Sequence, residues 1–375
     1  MAGIYIHIPF CRQACYYCNF HFSTSLVLQN DFKAALLKEI ELRTSYLHSE
    51  KVETIYFGGG TPSLLPPNDI KEILEVIYSE FNISSLPEIT LEANPDDMDL
   101  NKLLAWKLAG INRLSIGIQS FFSEDLLNMN RAHDAEQAVR SIQDARIAGF
   151  NEFSLDLIYG SPGLTNYQWK KNLEKAIVLD PAHLSCYALT VEPKTALYKM
   201  IQQKKTADVE PDVQASQFLE GIELLEAAGY EHYEISNFAK PGKRSRHNSA
   251  YWQSKKYLGL GPSAHSFDGI SRQWNISNNS LYIQSLKVGH LNFESETLHR
   301  TDKLNEYIMT SLRTMEGIDL KYVEKIFGKE EGGKIENKSM EFIQAKKMKR
   351  TEEKLILTKE GKLFADGIAA ALFFD

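Results

Sequence analysis

The chain is poor in cysteine, with four among 375 residues, and three of the four fall within one stretch of eight, Cys11 to Cys18. So few thiols, one of them isolated at Cys186, cannot build a disulfide framework; clustered cysteines in a reducing compartment serve as metal ligands or reactive groups. Long apolar runs are also missing. "GIAAALFF" at 367–374 is among the longest and falls well short of the roughly 18–20 residues that span a bilayer, so no membrane-spanning helix is expected. The opening "MAGIYIHIPFC" has no basic segment ahead of its apolar residues, so a cleaved signal peptide is not expected and the setting reads as cytoplasmic. Positive charge is in deficit, with 42 Lys and Arg against 49 Asp and Glu and a net charge of −7, which argues against broad nucleic-acid binding. Low-complexity linkers and obvious repeats are absent. What is present is an ordinary globular composition, 43% hydrophobic, sufficient for roughly two to three domains.

From the start to about residue 190, β-branched or aromatic runs alternate with segments of helical period. Strands are expected at 3–8, 52–57, 88–92, 113–118, 152–158 and 183–189. Between the first two, Phe32, Leu36 and Ile40 recur every four residues, as one buried helix face requires; Ile70, Ile73, Leu74, Ile77 and Phe81 repeat the pattern before the third. Six strand-then-helix units imply right-handed crossovers and a parallel α/β sheet, either open and doubly wound or barrel-like, and six are too few for an eightfold barrel. The pattern changes after "VEPKT" (191–195). A helix is expected over 211–228 with Phe218, Ile222 and Leu225 on one face, followed by an aromatic-rich stretch. From about residue 300, short helices and the strand-like "KLILT" fit a small winged-helix-like unit. The expected organisation is therefore 1–210, a flanking region 211–295, and 296–375.

The polar residues that interrupt these strands fall in a pattern. The cysteine loop follows the first strand, "GGGTP" (58–62) the second, Glu92 and Gln119 end the third and fourth, and Asp156 lies in the fifth. The carboxyl ends of parallel strands are where βα loops converge to build sites. The cysteines themselves admit two metals. A structural zinc site needs a fourth ligand, which His7 or His21 could supply. Three thiolates on an iron–sulfur cluster of four irons would instead leave one iron open to a small molecule.

The spacing C-x-x-x-C-x-x-C in "CRQACYYC" resembles the cluster loop of the radical S-adenosylmethionine superfamily. "YIHIPFC", "YFGGGTPSLL", "ITLEANP", "RLSIGIQSF", "NRAHD" and "FSLDLIYGSPG", in that order, resemble its oxygen-independent coproporphyrinogen III oxidase-like family, and the resemblance covers most of the chain. It implies a partial (β/α)6 barrel with a C-terminal helical, winged-helix-like domain. It also implies that Cys11, Cys15 and Cys18 hold a [4Fe–4S] cluster whose unique iron is chelated by S-adenosylmethionine. Tyr5 and Tyr17 would line the cofactor pocket, and Gly59, Gly60 and Thr61 would meet the cofactor's amino group. Glu92, Gln119, Arg131 and Asp156 match the positions that take its ribose, carboxylate and adenosyl portions, and Tyr187–Ala188 would close over the adenine. An arginine fork suits a carboxylate, and acidic groups suit hydroxyls and a sulfonium.

Two departures separate the chain from the porphyrinogen-oxidising members. Phe20 stands where their motif has a further cysteine, and the motif begins at residue 5, without their N-terminal extension. The radical scaffold is therefore expected to lack coproporphyrinogen III oxidase activity. "HNSAYW" (247–252) instead resembles the signature of the family's heme-chaperone branch, in which the histidine is implicated in holding heme. Imidazole ligates heme iron, and Tyr251 and Trp252 offer flat surfaces; a hydrogen-bonded structural histidine is the alternative. Residues 235–267 carry Lys240, Lys243, Arg244, Arg246, Lys255 and Lys256 and no acid, which suits heme propionates, an acidic partner or a membrane surface. The expectation is a cytoplasmic heme chaperone, open to peripheral membrane attachment and to a homodimer. It would bind heme through His247 and deliver it to hemoprotein acceptors, those at a membrane included, with no nucleic-acid partner.

Overall fold

The computed structural model describes residues 2–375. Six strands, β1 (Ala2–Ile8), β2 (Val52–Gly59), β3 (Ile83–Ala93), β4 (Arg113–Gln119), β5 (Phe153–Tyr159) and β6 (His183–Ala188), pair in sequence order, all parallel, with helices on their outer face. Each expected strand is present. The expected helix faces are buried too: Phe32, Leu36 and Ile40, then Ile70, Ile73, Leu74 and Ile77, then Phe218, Ile222 and Leu225, all joined to one hydrophobic core. The fold is α/β, built on a large parallel sheet.

The sheet is wider than six strands. Beyond β6 lies an antiparallel hairpin, β7 (Glu231–Glu234) and β8 (Asn237–Ala239). On the other side of β1 lies β9 (Lys256–Leu260), parallel to it, and then β10 (His265–Phe267), β11 (Ser271–Asn275) and β12 (Phe293–Thr297), all antiparallel. The order runs β12-β11-β10-β9-β1-β2-β3-β4-β5-β6-β8-β7, so the barrel stays open. The parallel run has seven members rather than six, because an apolar β1 left as an edge would expose a row of unpaired backbone groups. Two glycines in "YLGLG" make the turn back to β10 possible: a Cβ on Gly259 would lie 2.0 Å from the His265 carbonyl oxygen, and Gly261 has φ +95°.

A buried carboxylate fastens this flank to the first helix, Gln29–Leu42. Glu39, 1% exposed, accepts from the Gly261 N–H at 2.8 Å, the Tyr282 hydroxyl at 2.6 Å and Asn275 Nδ2 at 2.7 Å. Arg43 lies beside it, its guanidinium donating to Gln273 and Asn275. The C-terminal part packs a second apolar cluster, Leu304 to Leu372. It surrounds a three-stranded antiparallel sheet of β13 (Ile318–Asp319), β14 (Met348–Arg350) and β15 (Lys354–Leu357), with β15 in the middle. No helix of the described residues is long and apolar enough to cross a membrane.

Removing a buried acid from a set of donors leaves them and the neighbouring guanidinium unpaired, which costs roughly 3–5 kcal/mol. Glu39→Ala should lower the free energy of unfolding by about that amount in urea titrations. Glu41→Ala, on the exposed face and paired with Lys38 at the surface, should change it by no more than ~0.5 kcal/mol.

Candidate functional site

The inner face of the sheet is polar where the outer face is apolar. Along β4, Leu114, Ile116 and Ile118 are fully buried against the helices, while Ser115, Gly117 and Gln119 line a cavity of about 480 Å³. Glu92 and Asn94 of the β3 end, Asp156 and Ile158 of β5, and Ser185 and Tyr187 of β6 face the same space, as period-two alternation requires. The cavity opens at the carboxyl ends of the strands. Cys11, Cys15, Cys18, Tyr17 and the exposed Phe20 form its rim, and Gly59, Gly60, Thr61, Arg131 and Ala188 complete its wall. Twelve of the fourteen expected site residues therefore meet in one place.

The cysteine loop is held by backbone contacts on three sides. The Gly60 N–H donates to the Ile8 carbonyl at 2.9 Å and the Thr61 N–H to the Phe10 carbonyl at 2.7 Å; a Cβ on Gly60 would stand 2.7 Å from the Phe10 oxygen. Gly59 has φ +106°, and a side chain there would strike His7. The glycines thus let β2 close against the chain that leads into the loop. Asn130 Nδ2 donates to the Ala14 carbonyl at 2.7 Å, and the Tyr16 N–H to the Met129 carbonyl at 3.1 Å. Arg131 Nη1 lies 3.4 Å from Cys15 Sγ.

Both histidines near the loop make hydrogen bonds away from the cysteines. His7 Nε2 donates to the His21 carbonyl at 2.8 Å, leaving Nδ1 to accept from the Tyr5 hydroxyl at 3.2 Å, and burial holds the ring neutral with its pKa pushed down to about 4. His21 Nε2 meets Asn279 Oδ1 at 2.7 Å. Among the described residues no three His, Cys, Asp or Glu side chains are grouped so as to hold one metal ion.

Electrostatics divides the cavity wall. Glu92 accepts from the Tyr56 hydroxyl at 2.8 Å and the Gly59 N–H at 3.1 Å, yet burial lifts its pKa to about 7, with the Asp156 charge adding to the rise. Burial likewise lifts Asp156 to about 6, against the pull of hydrogen bonds from Ser185 and Ser115. Arg131 is a half-buried cation that makes no ion pair among the described residues. Its Nη2 donates to Asn94 Oδ1 and the Gly117 carbonyl, and its Nε has no partner at all. Gln119 ends β4 with φ +64°, a left-handed conformation that costs a non-glycine residue about 1–3 kcal/mol and carries its amide into the cavity.

Two expected site residues lie elsewhere. Tyr5 is not in the cavity wall; its ring stacks on Tyr56 one layer behind, where a Cβ on Gly58 would touch it. His247, 3% exposed, has both ring nitrogens occupied, by Thr54 Oγ1 at 2.8 Å and the Tyr251 hydroxyl at 3.1 Å, and its ring stacks on Tyr56. Burial pushes its pKa down to about 3. It presents no free nitrogen to an iron, so the structural alternative describes it. The basic stretch is not an open patch either. Lys240 pairs with Asp180, Lys243 with Glu152, Arg244 with Glu231 and Glu316, Arg246 with Glu53, and Lys256 with Glu50. These acids lie outside the stretch 235–267, all but Glu231 in distant parts of the chain, which a local charge count does not see. Lys255 makes no ion pair among the described residues.

A match to the Radical SAM superfamily model covers residues 5–176. The chain is 33% identical to the heme chaperone HemW of Bacillus subtilis over 99% of both chains, and 35% identical to that of Escherichia coli over 84% of this chain and 83% of the relative. The chain belongs to the HemW family of radical SAM proteins. Among solved structures, coproporphyrinogen III oxidase (HemN) of Escherichia coli superposes with a TM-score of 0.85 over 99% of this chain and 90% of its own, at 24% identity, a likeness of fold.

Membership of the radical SAM superfamily implies an iron–sulfur cluster and S-adenosylmethionine, and the donor set fits both. Three thiols line one cavity mouth, the donor type that an iron–sulfur cluster takes. A half-buried guanidinium with a free N–H and no ion-pair partner among the described residues suits a ligand carboxylate, and two carboxyls with raised pKa values suit hydroxyl or cationic groups. Ser115, Gly117, Asn94 and Ser185 share this wall and were not singled out from the sequence. Their signal was there, as small or polar residues at every second position of otherwise apolar strands.

A ligand that donates hydrogen bonds to Glu92 and Asp156 binds their ionised forms, so protons must leave below pH 7 and pH 6 respectively. Affinity for S-adenosylmethionine should rise as pH increases from 6 to 8 and then level off, and Glu92→Gln should weaken binding and flatten the upper part of the rise. Isothermal titration at several pH values checks this; an affinity constant from pH 6 to 8 contradicts it.

Proposed function

We propose that this chain is a heme chaperone, a carrier that takes up heme and passes it to hemoprotein acceptors, built on a radical SAM scaffold that keeps its cluster and cofactor sites. The observation that carries the reading is the 33% identity to the Bacillus subtilis heme chaperone over 99% of both chains. Phe20, 68% exposed at the rim of the cavity, supports it, since the porphyrinogen-oxidising motif has a cysteine there. The fold likeness to HemN does not favour the oxidase alternative, in which coproporphyrinogen III would be converted to protoporphyrinogen IX.

In this reading Cys11, Cys15 and Cys18 hold the [4Fe–4S] cluster. Bound together, cluster and S-adenosylmethionine supply one-electron chemistry at the carboxyl ends of the strands. The chain's own residues do the rest. Arg131 takes the cofactor's carboxylate and at the same time tethers the cysteine loop through Cys15. Glu92 and Asp156, relieved of their protons, take its polar groups, and Tyr17 and Ala188 flank it. Hemoprotein acceptors, including membrane-bound ones, would be reached from the cytoplasm.

Anaerobically reconstituted protein should carry about four irons and four sulfides per chain. Each of Cys11→Ala, Cys15→Ala and Cys18→Ala should abolish the cluster, whereas Cys186→Ala, buried in the sheet away from the cavity, should not. The same preparation should bind about one heme per chain and leave coproporphyrinogen III unchanged. Formation of vinyl groups from that substrate, without heme uptake, would move the assignment to the oxidase.

A further inference from the structure

Arg131 also lines a smaller cavity, of about 20 Å³, enclosed by the cysteine loop, the end of β3 with the turn Pro95–Asp97 that follows it, and the loop from Asn130 to Ala132. Gln13, Cys15, Thr61, Asn94 and Arg131 line both this cavity and the larger one, so the arginine stands in the partition between them. One buried water molecule needs roughly 10–15 Å³ and two to four polar partners. The small cavity offers both. Two fully buried polar atoms of its wall have no hydrogen-bond partner among the described residues: Arg131 Nε, a donor, and Asp96 Oδ1, an acceptor. The neighbouring acid is already taken, since Asp97 lies 3.0 Å from Arg12 Nη2 and 3.6 Å from Lys102 Nζ and accepts from the Ser63 hydroxyl at 2.8 Å. Asp96 has no such pair among the described residues. Burial and the Asp97 charge push its pKa up against the pull of Arg131, so the two groups act on each other across the gap without touching.

We propose that Asp96 is a positioning residue for the cofactor's carboxylate: through one ordered water in the small cavity it holds Arg131 Nε from behind and fixes the plane of the guanidinium. This rests on the reading that the larger cavity takes S-adenosylmethionine, and it adds what aims the arginine. A guanidinium has five N–H donors in a rigid fork. Nη2 directs two of them to Asn94 Oδ1 at 2.7 Å and the Gly117 carbonyl at 2.9 Å, and Nη1 turns one to Cys15 Sγ at 3.4 Å. With Nε on the water, one Nη1 N–H is left, and it is the donor that meets the ligand carboxylate. Water-mediated contacts of this kind are nearly as favourable as direct ones, and a guanidinium held in place before the ligand arrives has less freedom to lose on binding.

The test is isothermal titration of cluster-reconstituted protein with S-adenosylmethionine and, separately, with its decarboxylated form, which lacks only the group that Arg131 meets. Asp96→Ala should weaken the first by about tenfold, the scale on which a supporting outer partner acts, and leave the second within about twofold. Asp96→Asn keeps an oxygen for the water and should recover part of the loss. In an Arg131→Gln background, Asp96→Ala should cost nothing further, because the two residues act as one unit. Asp96 is half-buried, and circular dichroism checks that its variants fold. Equal weakening of both ligands, no weakening of either, or a full loss that persists without Arg131 would overturn the proposal and leave the cofactor reading standing. Failure of the unmodified protein to bind S-adenosylmethionine would overturn both.

Discussion

The candidate site depends on how closely the carboxyl ends of β1 and β2 meet. Two backbone hydrogen bonds, from Gly60 to Ile8 and from Thr61 to Phe10, fix the point at which the chain leaves the sheet and enters the cysteine loop. The contact leaves no room for a Cβ on Gly59 or Gly60, so the glycine run is first a packing requirement of the sheet and only then a feature of the cavity wall. Asn130 and Arg131, from the far side of the opening, pin the same loop. Three thiols that would otherwise sit on a mobile segment are thereby held facing one cavity.

The second constraint is electrostatic. Two carboxyls and one guanidinium stand half-buried in one wall, where removal from water raises the carboxyl pKa values and the Arg131 Nε is left without a partner. A structure made for stability alone would pair Arg131 with Glu92 or Asp156, because opposite charges withdrawn from water attract strongly. Keeping them apart leaves each ready for a complementary group on a ligand. The left-handed Gln119 is a further local cost at the same place. Such costs gathered at one end of the strands mark a site organised for binding. Glu39, by contrast, has every donor it needs and serves to hold the sheet's flank to the first helix.

Much of this was legible in the sequence because it follows from local spacing. Period-four apolar residues gave the helix faces, β-branched runs gave the six strands, and the cysteine and glycine motifs, placed after successive strands, predicted a common site at their carboxyl ends. The readings that failed depended on residues distant in the chain. The basic stretch 240–256 looked uncompensated only because its acids, Glu50, Glu53, Glu152, Asp180, Glu231 and Glu316, lie outside it. β9 went unseen as a seventh parallel strand because it pairs with β1, some 250 residues earlier.

Sequence by itself determined that three cysteines at this spacing lie on a loop between a strand and a helix, that small and polar residues alternate with apolar ones on the strands, and that the chain belongs among radical SAM proteins. These are properties of short segments, set by backbone period and residue type. Tertiary structure alone decided which side chains have partners. It turned His247 from a ligand candidate into a buried support for Tyr251, moved Tyr5 behind the cavity wall, and left Lys255 and Arg131 as cations without acids. A side chain's availability is what remains after its neighbours in space have taken their hydrogen bonds, and those neighbours are chosen by the fold.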